Sequence, residues 1–434
     1  KRRSTGHDVD MKAAVEASSD AELKDALGGL TAEAKAKLIA ALGQQETLEA
    51  TNPGGSSLQA RRQDSEPEPP SHWDEIGCSV LKKHAAHTTF VDAKWIVELA
   101  DAGKIVPRNQ EVPPEAKVSV AEMEKWRDDR SIHFGGTSAT VGMVAISYPW
   151  WDRCHPDPNG VQLRKIADVL KKYFGPSRPR RDGRVGVFWD YMSLPQPHPD
   201  GHDDMTEAQH ATKKSGLKGI NVWYAHPKTY VLIVDTDVPK GVLNEQPYTG
   251  RGWCIAEMMM SGMVKDDEAL ISLRTRDKLR GAQRVPPMAP DAFEALLKAG
   301  VEDGTIKFTK SGDVELVVRI YTAAFDAEFE DVTELKYMCL DWDDAEAIKL
   351  AEALKAAIVR GKLVKLLRLD LRGNYIRDEG ADALATALAV EGALPALEEL
   401  NLDRNDIDNE YPLKKAMAKR GKDVVSLDEN PCRY

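Results

Sequence analysis

Two patterns in the 434-residue chain predict an α/β protein that ends in a solenoid. Between residues 141 and 275, short apolar, β-branched runs alternate with amphipathic helical stretches, as in a parallel sheet covered by helices on both faces. Near the C-terminus a leucine motif recurs after 31 residues. Length agrees: at roughly 150 residues per domain the chain is about three folding units.

The N-terminal part divides first. Ser19-Asp20 offers an N-cap to a short helix carrying Leu23, Ala26, Leu27 and Leu30. Thr31 opens a second helix with Leu38 and Leu42 on one face, stopped by Gly43. Residues 1–43 therefore read as a helical arm that could dock on the body of the protein or enter a partner's groove. Residues 44–71 are dominated by Gly, Ser, Pro, Gln and Glu and read as a linker.

Residues 72–275 form the predicted α/β domain. Residues 94–103 read as an amphipathic helix. Strands are expected at Val141–Ser147, Arg184–Trp189, Tyr230–Val234 and Ala269–Leu273. Helices are expected at 160–174, 206–224 (interrupted by Gly216 and Gly219) and about 252–263. Ligands of such a sheet bind beyond the carboxyl ends of its strands, here around Ser147–Trp151, Asp190–Leu194 and Asp235–Asp237. Residues 276–330 read as a helical spacer, with helices around Phe293–Ala299 and Val314–Phe329.

The last domain, 331–434, carries the repeat. Leu366, Leu369, Leu371, Asn374 and Ile376 fit L-x-x-L-x-L-x-x-N-x-I, and Leu397, Leu400, Leu402, Asn405 and Ile407 fit it again. Leu335, Met338, Leu340 and Asp343 hold the same slots one period earlier; Val425, Leu427 and Asn430 form a partial copy. Helical stretches at 345–360 and 379–390 lie between the copies. The pattern resembles a long, helix-containing leucine-rich repeat, which implies protein partners. A cap on the central domain is the other use of so short a solenoid.

Composition narrows the function. Hydrophobic residues make up 42% and charged residues 30%, enough for a full core. Lys plus Arg is 59 against 70 Asp plus Glu, a net charge of -11 that does not suit nucleic acid or an anionic membrane surface. No apolar run reaches the ~18 residues of a membrane span. The five scattered cysteines form no CxxC pair, so neither a disulfide framework nor a zinc module is expected, and a reducing, intracellular compartment is. The chain opens on Lys1 rather than Met, as in a processed or trimmed product from which a targeting peptide could have been removed.

The most specific local motif is Arg251-Gly-Trp-Cys-Ile-Ala-Glu257, after the third strand and opening a helix. It resembles the Trp-Cys-x-x-Glu segment of Toll/interleukin-1 receptor-like (TIR) domains. Ile146-Ser-Tyr-Pro-Trp150 and Phe188-Trp-Asp-Tyr-Met-Ser-Leu-Pro-Gln196 are similar to signatures of fungal heterokaryon-incompatibility domains, divergent relatives of the same fold. With His155–Gly160, these motifs look like those of uncharacterised algal and protist proteins of the group.

The resemblance covers about residues 140–275. It implies a flavodoxin-like parallel sheet and, from the family's enzymatic members, cleavage of NAD at the nicotinamide–ribose bond. It puts the catalytic carboxylate on Glu257, with Ser147, Tyr148, Trp150, Asp190 and Trp253 around the substrate. A fixed carboxylate suits that chemistry because the breaking bond builds oxocarbenium character on the ribose. Glu257 could instead serve its helix dipole and pair with Arg251.

The sequence departs from plant TIR domains. The Phe-Arg-Gly-Glu-Asp pattern is missing, Trp150-Trp151 stands in the first-strand loop, residues 197–205 are inserted after the second strand, and 236–250 form a long connection. NAD is expected as a substrate and no cofactor is expected. No metal site is expected either. His84 and His87 lack a third ligand nearby; His198, His202, Asp203 and Asp204 read as a solvated loop, as does the Arg178, Arg180, Arg181, Arg184 cluster. The reading is thus an intracellular interaction and signalling protein with a TIR-like cleft. The alternative is a non-catalytic scaffold or accessory subunit binding through the repeat and the N-terminal arm.

Overall fold

The computed structural model describes residues 72–126, 141–174, 183–278, 284–310, 312–418 and 425–426. Pro69–Tyr434 make one compact unit. The helices expected within 1–43, the linker 44–71, Arg178, Arg180, Arg181, Leu427 and Asn430 lie outside the described residues.

Two short helices, α1 (His72–Glu75) and α2 (Ser79–Ala85), lead into strand β1 (Phe90–Asp92) and helix α3 (Ala93–Asp101). Asp92 caps α3 by accepting the Lys94 N–H. Strand β2 (Lys117–Val118) and helix α4 (Val120–Met123) follow, with Ser119 and Glu122 closing a capping box. Then come β3 (Met143–Ser147), α5 (Val161–Phe174), β4 (Gly186–Phe188), α6 (Asp190–Ser193), α7 (Glu207–Lys218), α8 (Ile220–Ala225), β5 (Tyr230–Ile233), α9 (Gly252–Gly262), β6 (Leu270–Ser272) and β7 (Asp277–Lys278).

These strands form a seven-stranded sheet in the order β2-β1-β4-β3-β5-β6-β7. The inner four, β4-β3-β5-β6, are all parallel. The sheet is not parallel throughout, as the strand–helix alternation suggested. β1 and β2 extend one edge antiparallel and β7 the other. From β3 the chain goes first to one side, β4, and then crosses to the other, β5, so β3 and β5 flank the point where strand order reverses.

Side chains alternate across the layer. Met143, Ala145, Phe188, Val231, Ile233 and Leu270 join a core with α8, α9 and the helices that follow. Val144, Ile146, Val187, Tyr230, Leu232 and Ile271 face the opposite core, built on α3 and α5. This period of two is the pleat. Strands buried on both faces are apolar at nearly every position, with Ser147 and Ser272 at two strand ends, which is why they read as continuous hydrophobic runs.

The spacer holds α10 (Pro290–Glu302) and α11 (Asp313–Glu328). α11 packs on α8, α9 and α10. The Phe329 carbonyl just past its end accepts the Leu363 N–H. The terminal four-stranded sheet is wholly parallel: β8 (Glu334–Lys336), β9 (Arg368–Asp370), β10 (Glu399–Asn401) and β11 (Val425–Ser426). Helices α12 (Asp344–Val359), α13 (Asp378–Leu388) and α14 (Tyr411–Ala418) complete the repeats.

The motif leucines Leu335, Leu366, Leu369, Leu371 and Leu400 are fully buried. Asn374, also buried, satisfies the turn between neighbouring repeats. Its Oδ1 accepts from Leu340 N–H at 3.0 Å and Trp342 N–H at 3.2 Å; its Nδ2 donates to the carbonyls of Tyr337 at 2.7 Å and Leu371 at 2.8 Å. Asn405 repeats part of the scheme with Ile376, Leu371 and Leu402.

Asn374→Ala strands two buried N–H donors and two carbonyls at once. Each orphaned group costs about 1–3 kcal/mol, partly relieved by local relaxation. The variant should lose about 3 kcal/mol of unfolding free energy in urea titrations, and Asn405→Ala, at a half-buried position, distinctly less. Equal losses in the two variants would contradict this account.

Candidate functional site

The sequence-selected residues converge at the carboxyl ends of the inner strands. β3 ends at Ser147 and delivers Tyr148 and Trp150; β4 delivers Asp190 at the start of α6. Asp190 accepts hydrogen bonds from Tyr148 Oη at 2.6 Å, the Tyr191 N–H at 2.6 Å and Trp150 Nε1 at 3.0 Å. Burial pushes its carboxyl above the usual carboxylate range, against the pull of those donors. Tyr148 also packs edge-on against Trp189, as Trp150 does against Tyr191.

The start of α9 supplies the opposite wall. Gly252 is required there: a Cβ would stand 1.8 Å from the Phe308 ring. The close approach comes from a strap between α10 and α11. Gly252 N–H donates to the Lys307 carbonyl at 3.1 Å and Lys307 N–H to the Gly250 carbonyl at 2.9 Å, so 305–310 runs alongside Arg251 like an added strand. Trp253 Nε1 donates to Asp313 Oδ2 at 3.0 Å, fixing the start of α11 to the start of α9.

Arg251 does not pair with Glu257. Its guanidinium donates to three carbonyls, those of Gln246 and Asn244 at 2.8 Å each and that of Trp150. It staples the 236–250 connection to the β3 loop. Cys254 is buried, its thiol directed at the Tyr148 carbonyl at 3.5 Å, and burial pushes it well above the usual thiol range. It is a packing residue, not a thiolate nucleophile.

Glu257 reaches under the end of β3. Ser147 Oγ donates to its Oε2 at 2.6 Å, Ser147 Oγ and Tyr248 Oη are 2.6 Å apart, and Tyr248 Oη donates to the Cys254 carbonyl at 3.1 Å. Burial pushes the Glu257 carboxyl up to about 8; the Ser147 hydrogen bond opposes the rise and the nearby Asp190 charge adds to it. At neutral pH the side chain is a neutral acid.

A cavity of about 640 Å³ opens over this floor. Tyr148, Trp150, Asp190, Trp253 and Glu257 all line it. Ser147 does not: it is fully buried behind Glu257 and serves the acid rather than a ligand. Sequence reasoning missed the far wall, made by Lys307, Phe308 and Lys310 of the strap, and missed Lys213 of α7. Lys213 donates to Gln196 Oε1 at 2.9 Å. Burial lowers its pKa, Asp190 opposes that, and the Lys310 charge adds to the fall.

Two basic features lie away from the cavity. Arg184 binds Asp92 at 2.8 Å and Glu122 at 3.1 Å. His84 is half-buried against Gly219 and His87 is exposed.

Comparison with known families agrees with the terminal sheet. The Leucine Rich repeat family model matches residues 362–385, spanning β9 and most of α13. Comparisons with curated proteins and with solved structures give no match. The repeat points to a protein-interaction role. Among the described residues no helix is long and apolar enough to cross a membrane.

The raised pKa of Glu257 has a signed consequence. The unfolded chain releases this proton near 4.5 and the folded protein near 8. The folded state therefore binds more protons between those values, so stability is full below the window and falls as pH rises through it. Glu257→Gln cannot ionise. Between pH 5 and pH 9 the wild type should lose about 4 kcal/mol more than the variant in denaturant titrations. Parallel pH profiles for the two proteins would contradict a buried, neutral Glu257.

Proposed function

We propose that this is an intracellular interaction and signalling protein whose α/β region, about 72–275, is TIR-like and cleaves NAD at the nicotinamide–ribose bond. The repeat, 331–434, and the arm, 1–43, would hold protein partners. The observation that carries the reading is the position of Glu257: under the carboxyl end of β3, facing a cavity beside the point where strand order reverses. The order β4-β3-β5-β6 is the second, first, third and fourth parallel strand in sequence, consistent with a flavodoxin-like arrangement.

In this reading the C1′–N bond breaks with its electron pair going to nicotinamide, which leaves neutral. Water adds to C1′ and releases a proton, giving ADP-ribose. The carboxylate of Glu257 stabilises positive charge on the ribose, and Tyr148, Trp150, Asp190 and Trp253 shape the pocket around it. Only the ionised form can do this. At subsaturating NAD, hydrolysis should therefore increase with pH through about 8, tracking deprotonation of Glu257 in the free protein.

A specific observation favours the scaffold alternative. Glu257 is held internally by Ser147, which Tyr248 in turn contacts, as a residue retained for packing would be. The two readings separate by chromatography of NAD incubated with concentrated protein at pH 7 and pH 9. Release of nicotinamide that rises with pH and disappears in Glu257→Gln, with the fold intact by circular dichroism, supports the enzyme. Intact NAD at both pH values rejects it and leaves the scaffold.

A further inference from the structure

Residues 197–205, inserted between α6 and α7, form a loop fastened at both ends. At its start Gln110 Nε2 donates to the Gln196 carbonyl at 2.6 Å, and Gln196 N–H donates to Gln110 Oε1 at 3.1 Å. At its end Arg108 grips both oxygens of Asp204, at 2.7 and 2.8 Å. Between these anchors the backbone doubles back: Gly201 N–H donates to the His198 carbonyl at 2.9 Å and His198 N–H to the His202 carbonyl at 3.0 Å. Gly201, at φ +96, has the conformation that a side chain would resist.

The turn brings three ligand atoms together. Asp200 Oδ1 lies 3.0 Å from His198 Nδ1 and 2.5 Å from His202 Nδ1. All three atoms fall within 4.8 Å of one another, and the two imidazole rings stack with centroids 4.7 Å apart. His198 Nδ1 also lies 3.3 Å from the Asp200 amide nitrogen, a contact it accepts in the tautomer that leaves Nδ1 bare. In that tautomer the lone pair and the carboxylate oxygen face each other at 3.0 Å, an arrangement that a cation between them would stabilise. The acids singled out from sequence are engaged elsewhere, Asp203 by His210 at 3.2 Å and Asp204 by Arg108. Asp200, which sequence reasoning passed over, is the carboxylate at the centre.

We propose that His198, Asp200 and His202 chelate a borderline divalent transition ion of the Zn²⁺ class. Two imidazole nitrogens and one carboxylate oxygen suit such ions, with water completing the shell. Mg²⁺ and Ca²⁺ prefer all-oxygen shells and are disfavoured. The anchored loop brings the donors close before the ion arrives, which lowers the cost of ordering them. Gln196 and Pro197, which lead into the loop, line the cavity, so the ion would stiffen one wall of the cleft.

The test is calorimetric titration of the full chain with ZnCl₂, and with CoCl₂ read by d–d absorption. One equivalent of Zn²⁺ should bind to the wild type and be missing from His198→Ala/His202→Ala. Asp200→Asn, nearly isosteric, should bind roughly tenfold more weakly or worse. MgCl₂ and CaCl₂ should give no saturable heat. Asp200 and His202 are exposed and His198 is half-buried, and circular dichroism checks that the variants are folded. Failure of the wild type to bind Zn²⁺ overturns the proposal. So does an unchanged stoichiometry in the double variant, which would place the ion on other histidines such as His84 and His87. Neither result depends on NAD cleavage.

Discussion

Placing Glu257 beneath the end of β3 sets a condition on the groups around it. A carboxyl removed from water needs donors or acceptors within the fold, and the hydroxyls of Ser147 and Tyr248 supply a circuit that returns to its own helix at the Cys254 carbonyl. Ser147 Oγ donates to the carboxyl, Tyr248 Oη donates to the Cys254 carbonyl, and the two hydroxyls stand 2.6 Å apart. The strand end, the turn around Tyr248 and the first turns of α9 are thus tied together around this acid. The strap alongside Arg251 then holds α9 from outside, where Gly252 allows the Phe308 ring to close in.

The solenoid continues the central core. Tyr337 Oη donates to the Met263 carbonyl just past α9, Trp342 Nε1 donates to the Arg284 carbonyl at 2.8 Å, and the two rings stack with centroids 5.1 Å apart. A short solenoid exposes its first apolar layer unless something covers it. Here α11 and the α9 end do so, and one buried cluster runs from the sheet to Leu413. The outward strand positions carry ion pairs at or near the surface, such as the exposed Arg368–Glu399 and the half-buried Lys336–Glu334. Pairs of this kind add little stability. The leucine layers and Asn374 hold the solenoid, so its charged face can vary without loss of fold.

What was legible in the sequence follows from what is local. The inner strands announced themselves because burial on both faces forces nearly every position to be apolar, and the repeat because its period is fixed by stacking. The edge strands β1, β2 and β7 did not: two or three residues long, they are defined by partners distant in the chain. The strap was invisible for the same reason, since Lys307 pairs with a residue more than fifty positions earlier. Ser147 was read as a ligand contact because it ends a strand. The alternation along β3 held a correction: Ile146 faces the α3–α5 core, so Ser147 must point the other way, under α9. The alternative to a catalytic Glu257, a pairing with Arg251, rests on the two sharing a helix start. The long connection after β5 captures its guanidinium with carbonyls instead, a contact that local spacing could not reveal.

A neutral acid at the floor of a cavity is not an inert one. One pH unit below its pKa of about 8, ionising Glu257 costs about 1.4 kcal/mol. A ligand bearing a positive ring near the carboxyl favours the charged form. At an effective dielectric of about 20, unit charges about 5 Å apart attract by about 3 kcal/mol, more than the cost. None of the cations that line the cavity, Arg153, Lys213, Arg251, Lys307 and Lys310, is among the groups that shift the Glu257 carboxyl. Near neutral pH the floor would therefore become anionic when a cationic ring is bound, and return to the neutral acid when a neutral product replaces it. The charge that would stabilise a positive ribose is then present with the ligand and absent from the empty cleft, where burying it would cost stability.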